Sequence, residues 1–457
     1  MLVSESCISR TSRSGPGSSG QATPASPSFL TRPDSFRPVV DRTPQGPLEL
    51  DTRPPRPTRG GPSHPHARIN ARTPATPPDT AAQQHRERSR LELFFDLVFV
   101  YAMAQLTELV REDVSWRGFG HGVLGLLAVW WAWVCYTWLT NTFTTNRVVF
   151  RCLVIAAMAA MLLAASALPT AFSTGALVFG LALLTIRVIH LVLFVVAASH
   201  DEEHLRAGLL RLVPSLLIAP VLIAVAAAFP SPYRELLWIG AAIIDFGGPL
   251  VAGIEVFRVV PSYFVERHGN IIIIALGEAV VGLGTGASEH LQQPVVLAAA
   301  VLGVLIAASL WWTYFGLTAG AEQRLKDADG PERARLARDA YSYLHLPLVA
   351  GVAFFGFGAS AALEHVSDPL PLLPAIALSG GVGLFYAADA AYRWRDHHQL
   401  VPDRLLTAAA SLLIIPPALT MPAWSVLTAL TAVGALRLTC ELVRRPRIGP
   451  AVAGQVH

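Results

Sequence analysis

The sequence predicts an all-α integral membrane protein, a polytopic bundle of about 12 transmembrane helices preceded by a polar N-terminal tail. Composition is the first reason, because 53% of the 457 residues are hydrophobic and only 15% are charged, whereas soluble domains carry about 25% charged residues. The second reason is that apolar segments of bilayer length recur from Leu91 onward. The third is the distribution of Lys and Arg between those segments. These observations exclude a soluble globular protein.

The N-terminal segment 1–88 contains 15 prolines and 12 arginines among serine, threonine and glycine. Such a segment buries too little apolar surface to offset the entropy of an ordered backbone, so we expect a disordered cytoplasmic tail. No apolar stretch follows Met1, which argues against a cleaved secretory signal. The arginines are dispersed and lack interleaved aromatic residues, so we predict no nucleic-acid binding.

The membrane domain is expected over residues 89–445, followed by a short cytoplasmic tail over 446–457. Each apolar segment in this domain has the roughly 20 residues that a helix needs to cross a bilayer. The predicted spans are 91–110, 119–140, 148–168, 172–198, 209–229, 234–256, 269–287, 294–317, 344–363, 371–391, 404–420 and 423–443.

Basic residues support this number of spans, because Lys and Arg are retained in the cytoplasmic segments of membrane proteins. With the N-terminus inside, the inside segments hold 20 Lys or Arg residues. The outside loops hold three, which are Arg111, Arg117 and Arg234. A missing or additional span would destroy this alternation from that point onward. We therefore predict that both termini are cytoplasmic.

The two halves of the membrane domain carry similar features in the same order. Asp96 in the first span precedes Trp130-Trp131 in the second, and Glu278 in the seventh span precedes Trp311-Trp312 in the eighth. Six spans per copy would give both copies the same orientation. We predict two parallel six-helix repeats, over about 89–257 and 266–445. Chance similarity between leucine-rich helices is the alternative.

Several ionisable or polar side chains fall within the predicted spans. An ionised side chain at mid-membrane costs roughly 2.5–3.5 kcal/mol, so it is rarely left unpaired and is often functional. The candidates are Asp96, Arg187, His190, Asp245 and Glu278, with Glu92, Thr285 and Asp389 as secondary candidates.

The balance of buried charge suggests a transport site. Arg187 stays protonated and needs a counter-charge, yet three carboxyl groups are available, those of Asp96, Asp245 and Glu278. At least one of them is then expected to hold a proton or a cation, because desolvation disfavours the charged form. We expect these residues to form one shared site for an unknown small solute or proton. A static ion-pair network that fixes helix packing is the alternative.

Tryptophans and glycines allow two interpretations each. Tryptophans of the second and eighth spans are expected to anchor them at the membrane–water interface, namely Trp130, Trp131, Trp133, Trp138, Trp311 and Trp312. A wall on which a substrate stacks is the alternative. Glycines around Glu278, including Gly282 and Gly286, either permit close helix packing or mark an unwound helix that coordinates a ligand.

Four stretches of the membrane domain resemble a known family. They are Leu91–Val100, Glu266–Gly269 with its continuation Ala275–Glu278, Leu310–Phe315, and Tyr341–Pro347. Over residues 89–445 the chain resembles the bacterial low temperature requirement protein A family. The resemblance implies a multi-pass protein of a bacterial cell membrane and a role in growth in the cold, without a settled molecular activity. The chain departs from the family pattern at 144–147 and at Gly316, where acidic residues are usual.

The function expected from these features is secondary transport, coupled to protons by the buried carboxyl groups. The alternative is a non-transporting sensor or scaffold that supports growth in the cold, with the charged segment 318–343 as its docking site. We find no nucleophile–base pair and no metal-ligand spacing in the sequence, so we expect no enzyme, metal site or cofactor. The lipid bilayer is the expected partner.

Overall fold

The computed structural model describes residues 78–143, 148–197, 203–316, 318–398 and 401–444. Within these ranges the chain is almost entirely helical, and the only extended pairing is one bridge between Pro369 and Pro422. The expected tail up to residue 77, the segment 144–147 and the tail 446–457 lie outside the described residues.

The helices follow one another without strands in the described part of the chain. In order they are α1 (Pro78–Glu112), α2 (Trp116–Thr142), α3 (Val148–Ala167), α4 (Ala176–Ala197), α5 (Glu203–Ala226), α6 (Tyr233–Ala252), α7 (Pro261–Ala287), α8 (Pro294–Phe315), α9 (Thr318–Asp327), α10 (Gly330–Leu336), α11 (His345–Glu364), α12 (Leu372–Ala375), α13 (Gly381–His397), α14 (Pro402–Leu412), α15 (Ile415–Ala418) and α16 (Ala423–Arg444). Two π-helical segments, Ala337–Tyr343 and Ile376–Gly380, precede α11 and α13.

Among the described residues, 11 helical stretches are long and apolar enough to cross a membrane. They match, in order, every predicted span except 404–420. Their outer faces carry large exposed apolar side chains, such as Leu163 of α3, Val195 of α4 and Ile243 of α6. An apolar surface of this extent is compatible with lipid and not with water. The prediction of an all-α, multi-pass membrane protein is confirmed.

The predicted span 404–420 is a broken helix that nevertheless leads from one end of the bundle to the other. Arg404 at its start lies 3.2 Å from Asp389 of α13, whereas the Ala418 carbonyl at its end accepts from the Leu370 amide, before α13 begins. The segment therefore runs antiparallel to α13. Pro416 and Pro417 cannot donate backbone hydrogen bonds, which explains why α14 does not continue into α15.

The order of helix packing is the same in the two halves. In the first half α1 packs on α2 and α3, the helices α3 to α6 pack in sequence, and α2 also contacts α4 and α6. In the second half α7 packs on α8 and α11, then α11, α13, α14 and α16 pack in sequence, and α8 also contacts α13 and α16. This agreement supports the predicted repeat, which stays a prediction.

Helix α2 lies inside the bundle, so the interfacial role expected for its tryptophans is wrong. Trp130 and Trp133 are fully buried, and Trp131 is almost so. The indole N–H of Trp130 donates to the Ser342 carbonyl oxygen over 2.9 Å. An internal acceptor satisfies this indole, so it does not need the membrane–water interface. By contrast, Trp311 of α8 is 46% exposed.

The charged segment 318–343 is folded rather than a loop. Asp329 caps α10 by accepting a hydrogen bond from the Glu332 amide. Arg395 of α13 binds Asp339 over 3.0 Å, and Arg338 binds the same carboxylate over 2.7 Å. Most of the charges that suggested a docking site are therefore paired within the protein.

Candidate functional site

A buried ion pair joins the first helix of each half. Arg267 of α7, which is 3% exposed, places its Nη2 atom 2.9 Å from Oδ1 of Asp96 in α1. The indole N–H of Trp133 donates to the same carboxylate oxygen over 2.9 Å. Glu92, one helical turn before Asp96, lies 3.6 Å from Nη1 of Arg267. The charge of the guanidinium is thus balanced by carboxylates of α1.

A polar cleft leads to this pair. Its lining consists of Glu92, Leu93, Asp96, Tyr263, Glu266, Arg267 and Asn270, and it encloses about 310 Å³ of empty space, counted out to its open side. All these residues belong to α1 or α7. The cleft therefore lets water approach Asp96 and Arg267 from the end of the bundle where these two helices begin.

Two buried histidines lie behind the ion pair. Nδ1 of His268 donates to the Phe264 carbonyl oxygen over 2.8 Å, and its Nε2 has no hydrogen-bond partner among the described residues. Nδ1 of His345 donates to the Ala340 carbonyl oxygen, so its Nε2 accepts from the Tyr314 hydroxyl over 2.8 Å. The two imidazole centroids are 5.0 Å apart. His268 of α7, His345 of α11 and Tyr314 of α8 are thus three neighbouring side chains that each carry an exchangeable proton.

The four stretches that carry the family resemblance converge here. Asp96 comes from the first, Arg267 and His268 from the second, Tyr314 from the third and His345 from the fourth. Trp133 connects them, because its ring lies 5.1 Å from the His268 ring while its N–H binds Asp96. We call Asp96, Trp133, Arg267, His268, Tyr314 and His345 the central cluster.

Arg187, His190 and Asp245 lie elsewhere, within the first half. Nη2 of Arg187 is 2.9 Å from Oδ2 of Asp245, which joins α4 to α6. Nη1 of Arg187 contacts the Trp131 carbonyl oxygen and the Cys135 thiol of α2. His190 follows one turn after Arg187, as expected, and is also buried. The structure brings these three residues together but not with Asp96 or Glu278.

Glu278 occupies a third place, near the middle of α7. Its Oε1 accepts a hydrogen bond from the Thr107 hydroxyl of α1 over 3.0 Å, and the residue is 6% exposed. No basic side chain of the described residues lies within ion-pair distance. Gly356 of α11 faces it, since a methyl group added there would lie 3.7 Å from Oε2. Glu278 therefore has a neutral partner where Asp96 has a charged one.

The secondary candidates are equally dispersed. Asp389 of α13 binds Arg393 over 2.7 Å and Arg404 over 3.2 Å within the second half. Thr285 is exposed and donates to the Val281 carbonyl oxygen of its own helix. Glu92 lies beside the central cluster, 3.6 Å from Arg267.

The glycines of α7 serve close packing. Helix α7 is continuous from Pro261 to Ala287, so the expected alternative of an unwound ligand-binding helix is wrong. A methyl group added at Gly286 would lie 2.5 Å from the Ser360 carbonyl oxygen of α11. Gly282 faces Gly356 in the same way, at 3.5 Å. These glycines allow α7 and α11 to approach each other closely.

Sequence reasoning missed Arg267 as a buried partner. The residue was counted with the cytoplasmic basic residues because the seventh span was expected to begin at 269, whereas α7 begins at Pro261. Proline is favoured at the first position of a helix, so Pro261 was an available signal for an earlier start. Arg404 and Arg437 are also buried, although both lie within predicted spans, Arg404 at the start of 404–420 and Arg437 inside 423–443.

Comparison with known proteins agrees with the fold and with the motifs. Residues 87–438 match the family described as bacterial low temperature requirement A protein (LtrA). An uncharacterised protein of Rhizobium meliloti (strain 1021) is 28% identical over 310 residues, which cover 65% of this chain and 74% of that protein. The matched region includes every residue of the central cluster. The chain is a multi-pass membrane protein that belongs to the bacterial low temperature requirement A family.

Proposed function

We propose that this protein is a proton-coupled secondary carrier, in which Glu278 carries the proton. The observation on which the proposal rests is the environment of Glu278, a buried carboxyl group between α1, α7 and α11 whose hydrogen-bond partner among the described residues is a hydroxyl group. An ionised carboxylate at this depth costs roughly 2.5–3.5 kcal/mol when it is not compensated. A proton or a bound cation on the Glu278 carboxyl group removes that cost. A movement between the halves that exposes this carboxyl group to water would release the proton or the cation.

The central cluster also supports transport. It lies at the end of the α1–α7 contact that is farther from Glu278. Asp96 and Arg267 come from different halves and face a polar cleft. A solute that binds either charge competes with the pair, and separation of the pair would let the halves move apart. Carriers built from two parallel repeats alternate access by such movement of one half against the other. We include the predicted repeat, over about 89–257 and 266–445, in this proposal.

Asp96 and Glu278 thus have separate roles in the proposal, because Asp96 pairs with Arg267 and Glu278 carries the proton. Both lie at the contact between α1 and α7. Arg187 and Asp245 are assigned to the packing of α4 against α6, since each satisfies the charge of the other within one half. We include a plasma-membrane location in the proposal, which agrees with the bacterial family. The distribution of arginine supports an orientation in which both termini face the cytoplasm.

The sensor or scaffold alternative has less support. It depended on free charges in 318–343, and the principal charges of that segment pair with Arg395, Arg338 and one another. We therefore argue the transport function alone.

The experiment measures proton movement in proteoliposomes with an internal pH-sensitive dye. An imposed pH gradient is challenged with a panel of amino acids, organic acids, organic amines and alkali cations. We expect at least one of these classes to dissipate the gradient with the natural protein and not with Glu278→Gln. Glu289→Gln, at an exposed position just after the same helix, is the matched control and should behave as the natural protein. Equal dissipation by the natural protein and Glu278→Gln would contradict the proposal.

A further inference from the structure

A second cavity borders α2. It encloses about 600 Å³ of empty space, counted out to its open side, between α2, α4, α5, the end of α6 and the π-helical segment Ala337–Tyr343. Aromatic side chains form much of its wall, namely Trp131, Trp138, Phe194 and Phe257. We call it the α2–α6 cavity. Its wall is mostly apolar with a few polar groups, as in small-molecule sites.

His190 is the polar group of this cavity that lacks a partner. The residue lines the cavity, is 4% exposed, and neither ring nitrogen makes a well-formed hydrogen bond among the described residues, although the ring has a weak contact with the Cys135 backbone. A buried polar group without a partner is costly, so native structures rarely leave one unless a ligand or an ordered water completes it. A neutral imidazole offers one donor and one acceptor. The ring therefore presents a hydrogen-bonding point to whatever occupies the cavity.

Three other polar side chains of the wall take part in hydrogen bonds within the protein. The Cys135 thiol accepts from Arg187, the Ser342 hydroxyl accepts from the Trp138 indole, and the Ser215 hydroxyl donates to the Leu212 carbonyl oxygen. His190 differs from them and is the side chain that we assign as the orienting group.

Both arginines at the wall already have a carboxylate partner. Arg187, which lies behind Cys135, is paired with Asp245 over 2.9 Å. Arg338, which lines the cavity, binds Asp339 over 2.7 Å, a carboxylate that Arg395 also binds. The rest of the wall is mostly apolar, and a charged ligand would have to lose its hydration there. The wall therefore favours an uncharged occupant.

We infer that the α2–α6 cavity binds a small neutral aromatic molecule that carries one hydroxyl or similar hydrogen-bonding group, which bonds to His190. The aromatic walls supply the burial of apolar surface, and His190 selects the molecules that can complete its hydrogen bond. This inference does not depend on transport, because neither Glu278 nor Asp96 lines this cavity.

The test uses the full chain in lipid nanodiscs and two probes of the same shape, 2-naphthol and naphthalene. Equilibrium dialysis against empty nanodiscs separates binding to the protein from partition into lipid. We expect saturable binding of 2-naphthol, with an affinity about three- to tenfold above that of naphthalene, which is the effect of one hydrogen bond. His190→Leu should remove this difference, and His190→Gln should retain most of it. His365→Leu, at an exposed position outside the cavity, is the matched control and should bind both probes as the natural protein does.

Three results would overturn the inference. The first is the absence of saturable binding by the natural protein. The second is equal affinity for the two probes, because His190 would then contribute nothing. The third is a copurifying lipid that blocks binding until it is extracted, because the cavity would then hold an acyl chain. If His190→Leu does not fold, the inference is tested by comparing the affinities of the two probes for the natural protein and for His190→Gln.

Discussion

Glu278 of α7 accepts a hydrogen bond from Thr107 of α1 over 3.0 Å. Thr107 follows Asp96 by 11 residues, and Glu278 follows Arg267 by the same number. Because 11 residues of helix rise about 16 Å, the two contacts lie three turns apart on helices that run in the same direction. Parallel α1 and α7 require an even number of membrane crossings from one to the other. The prediction of six spans in the first half is consistent with this relationship.

The chain is expected to cross the membrane 12 times, with 402–420 as a broken crossing. We test this with single cysteines in a chain whose natural cysteines are replaced by serine. Asp327→Cys and Val401→Cys should react with an impermeant thiol reagent from one side, because Arg324 of α9 bonds to the Asp396 carbonyl oxygen of α13. Asp368→Cys and Met421→Cys should react from the opposite side, because residues 366–370 bond to 418–424. Labelling of Met421→Cys together with Val401→Cys would exclude the crossing.

Breaking the ion pair of Asp96 should be costly. We expect Arg267→Met to lower the free energy of unfolding in mixed micelles by about 3–5 kcal/mol, since it leaves a buried carboxylate without its partner. Arg117→Met removes one member of an exposed pair with Glu235, in which the Arg117 side chain is 59% exposed, and should cost about 0–1 kcal/mol. Adding Asp96→Leu to Arg267→Met should restore most of the loss. Equal costs for the two single variants would show that the pair is not buried.

Two glycines of α7 should respond in opposite ways to alanine. Gly286→Ala places a methyl group 2.5 Å from the Ser360 carbonyl oxygen, so we expect it to lower the free energy of unfolding by about 1–3 kcal/mol. Gly284→Ala meets no atom within 4 Å and should raise it by up to about 1 kcal/mol through its higher helix propensity. Thermal unfolding in detergent measures both. If Gly286→Ala is as stable as Gly284→Ala, α7 and α11 are not in close contact there.

Tyr314→Phe should destabilise the central cluster. It removes the hydroxyl that bonds to Nε2 of His345 over 2.8 Å, and an unsatisfied buried nitrogen costs about 1–3 kcal/mol. The decrease should appear in the free energy of unfolding. Tyr233→Phe, at an exposed position at the start of α6, serves as control and should change little. A stable Tyr314→Phe would mean that His345 has another partner.

The sequence predicted the membrane-spanning helices well because a bilayer imposes both their length and their composition. It predicted their ends less well, since hydropathy does not register a helix that continues beyond the apolar core. That is why Arg267 was assigned to the cytoplasm although it lies two turns inside α7. The sequence showed that Pro416 would interrupt the helix of span 404–420. It did not show that the chain continues in the same direction after the interruption.

Individual buried residues could be predicted, whereas their partners could not. Asp96, Asp245 and Glu278 are buried, as their places in apolar segments indicated. Which side chains meet depends on helix rotation and neighbour order, and neither is encoded in the spacing along one helix. The single shared site expected for these residues and Arg187 is therefore divided between the central cluster, the α4–α6 pair and Glu278.

Infrared spectroscopy of Glu278 tests the central claim most directly. A difference spectrum between the natural protein and Glu278→Gln in lipid isolates the carboxyl group of that residue. We predict a carbonyl stretching band of a protonated carboxylic acid that is absent from Glu278→Gln, and that shifts when the buffer is exchanged for deuterium oxide. A difference spectrum without such a band, or with a band that does not exchange, would contradict a proton-carrying role for Glu278.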